Sequence, residues 1–231
     1  MVSSCRLFRV RYQDANPRQL FKECQRKFSE KKIESIEGLE LSNFVRNLTE
    51  KENGLWGEFV YESPLEILQI DGSWRKEKQA VSVGFTFLPF ANKMFCIVWS
   101  GGQEAETVAV KMNKLFFDDD IILKLQFSEN FIESFLSSHS HTLRMCRWDG
   151  LNIPGISKAA LQGADLWRSQ DPHRYDKHGD KSYVMITLLN DGWTIALSRK
   201  GTVTFYSEPT DDEKFQFIKD RIMPIIINTI E

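Results

Sequence analysis

The sequence predicts an α+β fold with mixed or antiparallel sheets and packed helices. Stretches of strict apolar/polar alternation read as half-buried strands. Others carry apolar stripes at helical spacing, and the two kinds follow one another without a regular strand–helix–strand rhythm. With 231 residues, 42% of them hydrophobic and 27% charged, the chain can bury a sizeable core without disulfides or a structural metal.

Leu7 to Tyr12 alternates apolar and basic residues as a strand does, and Asn16-Pro17 offers a helix cap followed by proline at the first helical position. The helix that follows buries Leu20, Phe21, Cys24 and Phe28 and turns Arg18, Lys22, Arg26 and Lys27 outward. Leu41, Phe44, Val45 and Leu48 repeat that spacing and predict a second, shorter helix after a charged connector broken at Gly38.

From Leu55 the period becomes that of strands, over Phe59–Tyr61, Leu65–Ile70, Val81–Phe87 and Lys93–Trp99. Gly101-Gly102 ends the last of these, and Ala105, Val108, Met112, Leu115 and Phe116 mark a helix. Ile121 to Phe127 reads as a strand, starting after Asp118-Asp119-Asp120. Ser128 caps a helix bearing Phe131, Ile132, Phe135 and Leu136, and Thr142 to Trp148 is the next strand.

Past the turns at Asp149-Gly150 and Pro154-Gly155, a short helix is expected near Ser157–Leu161, then a polar stretch to Lys181. Tyr183 to Leu189 is nearly continuous in apolar residues, as in a strand buried on both faces. Trp193, Ile195 and Leu197 alternate with small residues, and turns at Asn190-Asp191-Gly192 and Arg199-Lys200-Gly201 join three strands into a meander ending at Thr202–Tyr206. Thr210-Asp211-Asp212-Glu213 has the form of a capping box for a helix with the stripe Phe215, Ile218, Ile222, which Pro224 should bend or stop. The division expected is an amino-terminal α+β subdomain, 1–150, and a meander–helix subdomain, 151–231, or one continuous domain. No internal repeat or low-complexity tract stands out.

The formal charge of −2 removes any protein-wide positive field, so nucleic acid can be held only by a local patch. The start of the chain lacks the apolar stretch of a signal peptide and no run is long enough to cross a bilayer. A cytoplasmic protein without a membrane partner is expected. Cys5, Cys24, Cys96 and Cys146 form no C-x-x-C pair, which excludes a zinc ribbon or thioredoxin-type pair. Glycine-rich phosphate loops, G-x-S-x-G and H-E-x-x-H are also missing.

Two constellations carry chemistry. Arg144, Arg147 and Trp148, then Trp167 and Arg168, then Arg174 and Tyr175 interleave guanidinium groups that pair with phosphate and rings that stack on bases. Strand alternation, however, points Arg144 and Arg147 to opposite faces. The segment Asp171 to Asp180 holds His173, Asp176, His178 and Asp180, which suit a divalent metal or acid–base chemistry. They equally suit a solvated loop, because His173 and His178 lack the i, i+4 spacing of helical ligands. In element order alone the chain resembles some bacterial phage-exclusion and DNA-binding proteins.

The expectation is therefore a non-enzymatic binding or assembly protein without a cofactor, acting beside nucleic acid or a nucleoprotein complex. The alternatives are a metal-dependent hydrolase or nuclease using the Asp171–Asp180 segment, and a protein-interaction subunit of a larger complex.

Overall fold

The computed structural model describes residues 2–11, 17–117 and 119–229. The expected strand end at Tyr12, the cap at Asn16 and the acid at Asp118 lie outside them. Helices and antiparallel strands are both abundant, so the chain is broadly α+β. No helix among the described residues is long and apolar enough to cross a membrane. The chain divides into two compact units, residues 8–123 and residues 1–7 with 124–231. The sequence suggested a boundary near 150, a position that lies inside a continuous strand, His141–Ile153.

Strand β1 (Ser3–Val10) serves both units. In the 8–123 unit it is followed by α1 (Pro17–Phe28), β2 (Lys32–Ile36), β3 (Leu39–Lys51), β4 (Gly54–Leu68), β5 (Trp74–Phe90), β6 (Lys93–Val98) and α2 (Gly102–Met112). A π-helical turn, Asn113–Phe117, extends α2, and β7 (Ile122–Lys124) leads out of the unit. The strand order is β2-β3-β4-β5-β6-β1. Leu20, Cys24 and Phe28 of α1 and Ala105, Val108 and Met112 of α2 bury the face carrying Leu55, Phe59, Phe85 and Phe87. Phe28 sits edge-on to Phe85, Phe116 and Phe117.

The expected helix over Leu41–Leu48 is instead β3. A register shift between Arg46 and Thr49, with Asn47 at φ 54°, inserts an extra residue into the ladder with β4. The bulge returns Leu48 to the face of Val45, while Phe44 lies on the other face opposite Val60, so residues of two strand faces together mimic the apolar spacing of a helix.

In the other unit α3 (Glu129–Ser138) precedes β8 (His141–Ile153), β9 (Ile156–Gln162), a 3₁₀ turn at Leu166–Arg168 and α4 (Asp171–Asp176). Strands β10 (Asp180–Leu188), β11 (Thr194–Ser198) and β12 (Thr202–Phe205) follow, then α5 (Asp211–Phe217), a π-helical turn Ile218–Ile222 and α6 (Met223–Thr229). The order is β1-β12-β11-β10-β8-β9, and β1 pairs Ser3–Arg6 antiparallel with Phe205–Thr202. Ser128 caps α3 and the Thr210/Glu213 box caps α5.

Phe217 packs against Phe205 and Trp193, and Arg221 makes a two-pronged ion pair with Asp191, which fastens the last helices to the sheet. The helix does not stop at Pro224. The π-helical turn just before it re-spaces the carbonyls, so the missing N–H is accommodated and α6 continues.

The expected helix near 157–161 is strand β9. Pro154-Gly155, with Gly155 at φ 78°, turns β8 back on itself, and Arg147, Trp148 and Asp149 then pair with Ala160, Ala159 and Lys158. The two units share one plan, although their sequences do not visibly repeat. In each a helix is followed by four principal strands and a second helix, with an additional strand (β2 or β9) at the edge and β1 at the other end.

Candidate functional site

Strand β10 is not buried on both faces. Val184, Ile186 and Leu188 are buried, while Tyr183, Met185 and Thr187 are half-exposed on the opposite side. Their alternation defines an outer sheet face, away from Phe217 and the helices. Across from β10, Arg147 stands in register with Tyr183 and Met145 with Met185. A bulge then shifts the pairing so that Leu143 faces Ile186. The extra residue is Arg144, whose Nε donates to Thr187 Oγ1 at 3.0 Å on that same outer face. Simple alternation would have separated Arg144 from Arg147; the bulge brings them together.

Beside Arg147, and not reaching Arg144, lies an open groove of about 570 Å³ whose lining includes Arg147, Lys158, Ser182, Tyr183, Arg199 and Lys200. The Arg147 guanidinium lies over the Tyr183 ring, 5.2 Å from its centroid. Tyr183 and Tyr206 hydroxyls are 2.9 Å apart. Burial, reinforced by the bond to Tyr206, pushes the Tyr183 phenol well above its usual range, so it stays neutral.

Lys158 is matched by Asp149 at 3.6 Å and Arg199 by Asp180 at 3.0 Å. Arg147 and Lys200 make no ion pair among the described residues, which leaves the groove with unneutralised positive charge. Arg144 is more committed, because its Nη1 also donates to the Ala164 carbonyl.

The remaining arginine and aromatic candidates lie elsewhere in the unit. Arg168 pairs with Asp165 in the 3₁₀ turn, Arg174 is exposed on α4, and Tyr175 packs 5.3 Å from Trp148. Because Trp148 follows Arg147 in an extended strand, Tyr175 lies on the face opposite the groove. Tyr183, Tyr206, Lys158, Arg199 and Lys200 were not singled out from sequence. Their signal was the alternation of Tyr183, Met185 and Thr187 within an otherwise apolar run.

The polar segment 171–180 begins as helix α4, with Pro172 in its first turn, rather than as a loop throughout. Asp176 is bound on two sides: Trp148 Nε1 donates to its Oδ1 at 2.7 Å and Lys181 Nζ lies 2.5 Å from the same atom. Lys181 is only 2% exposed and also reaches Glu133 at 2.6 Å. Burial opposes its charge, but the hydrogen bonds to Asp176 and Glu133 outweigh that and hold its pKa above the ordinary lysine value.

Of the other metal candidates, Asp180 holds Arg199, His173 lies 5.5 Å from the Trp167 ring, and the His178 imidazole is exposed. Among the described residues no three His, Cys, Asp or Glu side chains converge in a way that could hold a metal ion.

All four cysteines are free and buried. Burial pushes Cys5 and Cys146 up to about 12 and Cys24 and Cys96 higher still, so none presents a thiolate. No protein-family model matches the chain, and no curated protein matches it.

Proposed function

We propose that the chain is a nucleic-acid-binding protein that engages a single-stranded segment on the outer face of β8, β10 and β11. The observation that carries this reading is the joint presentation of Arg147, Tyr183 and Lys200 on one open groove, with Arg147 and Lys200 free of ion pairs. Guanidinium and ammonium groups attract phosphates, and an aromatic ring on a sheet offers a stacking platform that tolerates any base. An extended single strand suits an open groove better than a duplex does, because its bases expose their faces.

Fluorescence polarisation with labelled single- and double-stranded RNA and DNA, titrated from low to physiological salt, tests it. The expected result is binding of single strands that weakens linearly on a log–log plot against salt. Absence of binding at the lowest salt would remove nucleic acid from the account.

A further inference from the structure

The imidazole of His141, at the start of β8, has both ring nitrogens committed. Nδ1 lies 2.7 Å from the His139 carbonyl oxygen, and Nε2 lies 2.9 Å from Trp167 Nε1. A carbonyl oxygen only accepts, so Nδ1 carries a hydrogen. An indole N–H only donates, so Nε2 carries none. The two contacts together fix a neutral ring in its Nδ1–H tautomer.

Trp167 belongs to the 3₁₀ turn Leu166–Arg168, between β9 and α4. Three bonds tie this turn and the residues before it to β8. Gly163 N–H donates to the Arg144 carbonyl at 2.9 Å, Arg144 Nη1 donates to the Ala164 carbonyl, and the Trp167 indole N–H donates to His141.

A second proton on His141 has one place to go, Nε2, and there it would point at the indole N–H. Two donors cannot bond each other, and a half-buried N–H stripped of its acceptor is costly. The surroundings offer an imidazolium no carboxylate in exchange. Asp165, in the same turn, already accepts from Trp167 N–H and from Arg168 Nε. His139 gives its Nδ1 to the Phe135 carbonyl of α3 and stacks on the Phe135 ring. His173 of α4 lies 5.5 Å from the Trp167 ring. On β10 the residues opposite are the uncharged Thr187 and Leu188, and Arg144 further along β8 is itself a cation.

We propose that His141 and Trp167 form a pH-operated latch. With His141 neutral, the indole pins the 163–168 segment to β8. With His141 protonated, the indole N–H loses its acceptor and the segment is released. The bond is thus present at higher pH and lost as pH falls through the imidazole range, centred at about 6.5 for a free ring. Because the Ala164 carbonyl lies in the same segment, release also frees the Arg144 guanidinium that it holds. The latch operates whether or not the groove beside Arg147 holds nucleic acid.

NMR of the full chain, labelled with ¹⁵N and ¹³C and titrated from about pH 7.5 to about pH 5, tests this. The Trp167 indole N–H signal, identified by its absence in Trp167→Phe, should move upfield as the acceptor is lost. Its midpoint should coincide with that of the His141 ring signals, identified by their absence in His141→Gln. That variant offers an amide oxygen near the Nε2 position and takes up no proton, so its indole signal should stay in place across the range. His139→Gln and His173→Gln should leave the wild-type movement unchanged.

A His141 ring that stays neutral down to the lowest pH overturns the inference. So does a ring that titrates while the indole signal stays fixed, since the imidazolium would then coexist with the contact. A movement that persists in His141→Gln but disappears in His139→Gln or His173→Gln also overturns it, and gives the pH response to that other histidine.

Discussion

Arg147 and Tyr183 are directly opposed across β8 and β10, and the guanidinium rests over the ring at 5.2 Å. One residue of the pair supplies charge and the other a flat apolar face, while Tyr206 fixes the phenol from the far side at 2.9 Å. If nucleic acid binds here, Arg147→Glu should lower affinity at low salt by at least about tenfold and flatten the salt dependence by roughly one ion. Tyr183→Ala should lower affinity by about 5- to 100-fold, the range for losing one stacked base, while leaving the salt slope nearly unchanged. Polarisation titrations at three salt concentrations separate the two effects.

Lys181 joins α3, α4 and β10 through Glu133 and Asp176. Removing one partner from a buried ion pair leaves the other charge without compensation. Lys181→Ala should therefore cost about 3–5 kcal/mol in urea unfolding. Glu133→Gln should cost much less, since that carboxylate is 46% exposed and water can replace it.

Glu129 opens α3 and faces Asp180 and Lys181. Burial first, and then the Asp180 charge, raise its pKa above the ordinary glutamate value of 4.5, against the opposing pull of Lys181. A carboxyl group with a raised folded pKa holds its proton more tightly in the native state than in the unfolded chain. As pH rises from 4.5 through the folded value, the native state thus loses stability relative to the unfolded one. Glu129→Gln should flatten this part of the stability–pH curve, raising stability at pH 7 relative to the wild type more than at pH 4. Urea midpoints at the two pH values check the sign.

The α+β class was legible because period-2 and period-3.6 segments are both strong, as in Val81–Phe87 and in α1. Bulges were not legible. In β3 the extra residue near Asn47 put Leu48 on the face of Val45 and so completed a helix-like spacing with Leu41 and the opposite-facing Phe44, and in β8 the extra Arg144 reversed the expected facing of an arginine pair. Each is fixed by the strand across from it, and that pairing is a long-range fact that no window of sequence contains.

Strand β9 was misread for a related reason. Ala159, Ala160 and Leu161 favour helix locally, but the Pro154-Gly155 turn commits them to pair with β8. The candidate groove collects residues from β8, β9, β10 and the β11–β12 turn, so neighbours in the chain could not reveal it. Of its lining, only Arg147 and its strand neighbour Trp148 belong to the constellation read from sequence.

Gly201 turns β11 into β12 at φ 74°, and a Cβ there would stand 2.6 Å from the Leu125 carbonyl oxygen. Gly150 has a similar φ of 66° with nothing within 4 Å. Gly150→Ala should cost about 1 kcal/mol, the left-handed backbone penalty alone. Gly201→Ala should cost more, about 2–4 kcal/mol, because backbone must move as well. It should also weaken any groove function, since Arg199 and Lys200 are carried on that turn. Thermal unfolding of the two variants gives the comparison.

The unit holding the groove should draw its stability from the sheet–helix contact and not from the exposed part of the 171–180 segment. Ile195 on β11 and Ile218 after α5 are fully buried, and Phe217 beside Ile218 touches Phe205 and Trp193. Truncating either isoleucine to alanine removes buried methylenes and leaves a cavity, at about 2–5 kcal/mol each. The His178 imidazole is exposed, so His178→Ala should cost about 0.5 kcal/mol or less.

Its neighbour Gly179 behaves differently, because a Cβ there would lie 2.8 Å from both the Asp149 carbonyl oxygen and Leu151 Cδ2. Gly179→Ala should therefore cost about 1–3 kcal/mol, as for overpacking. Denaturant unfolding should rank Ile218→Ala and Ile195→Ala as most damaging, then Gly179→Ala, then His178→Ala. Should His178→Ala unfold as readily as Ile218→Ala, its imidazole would have to hold something that neither Tyr175 nor Asn152, its backbone partners, supplies. A metal-loading assay on the 171–180 segment would then become the decisive measurement.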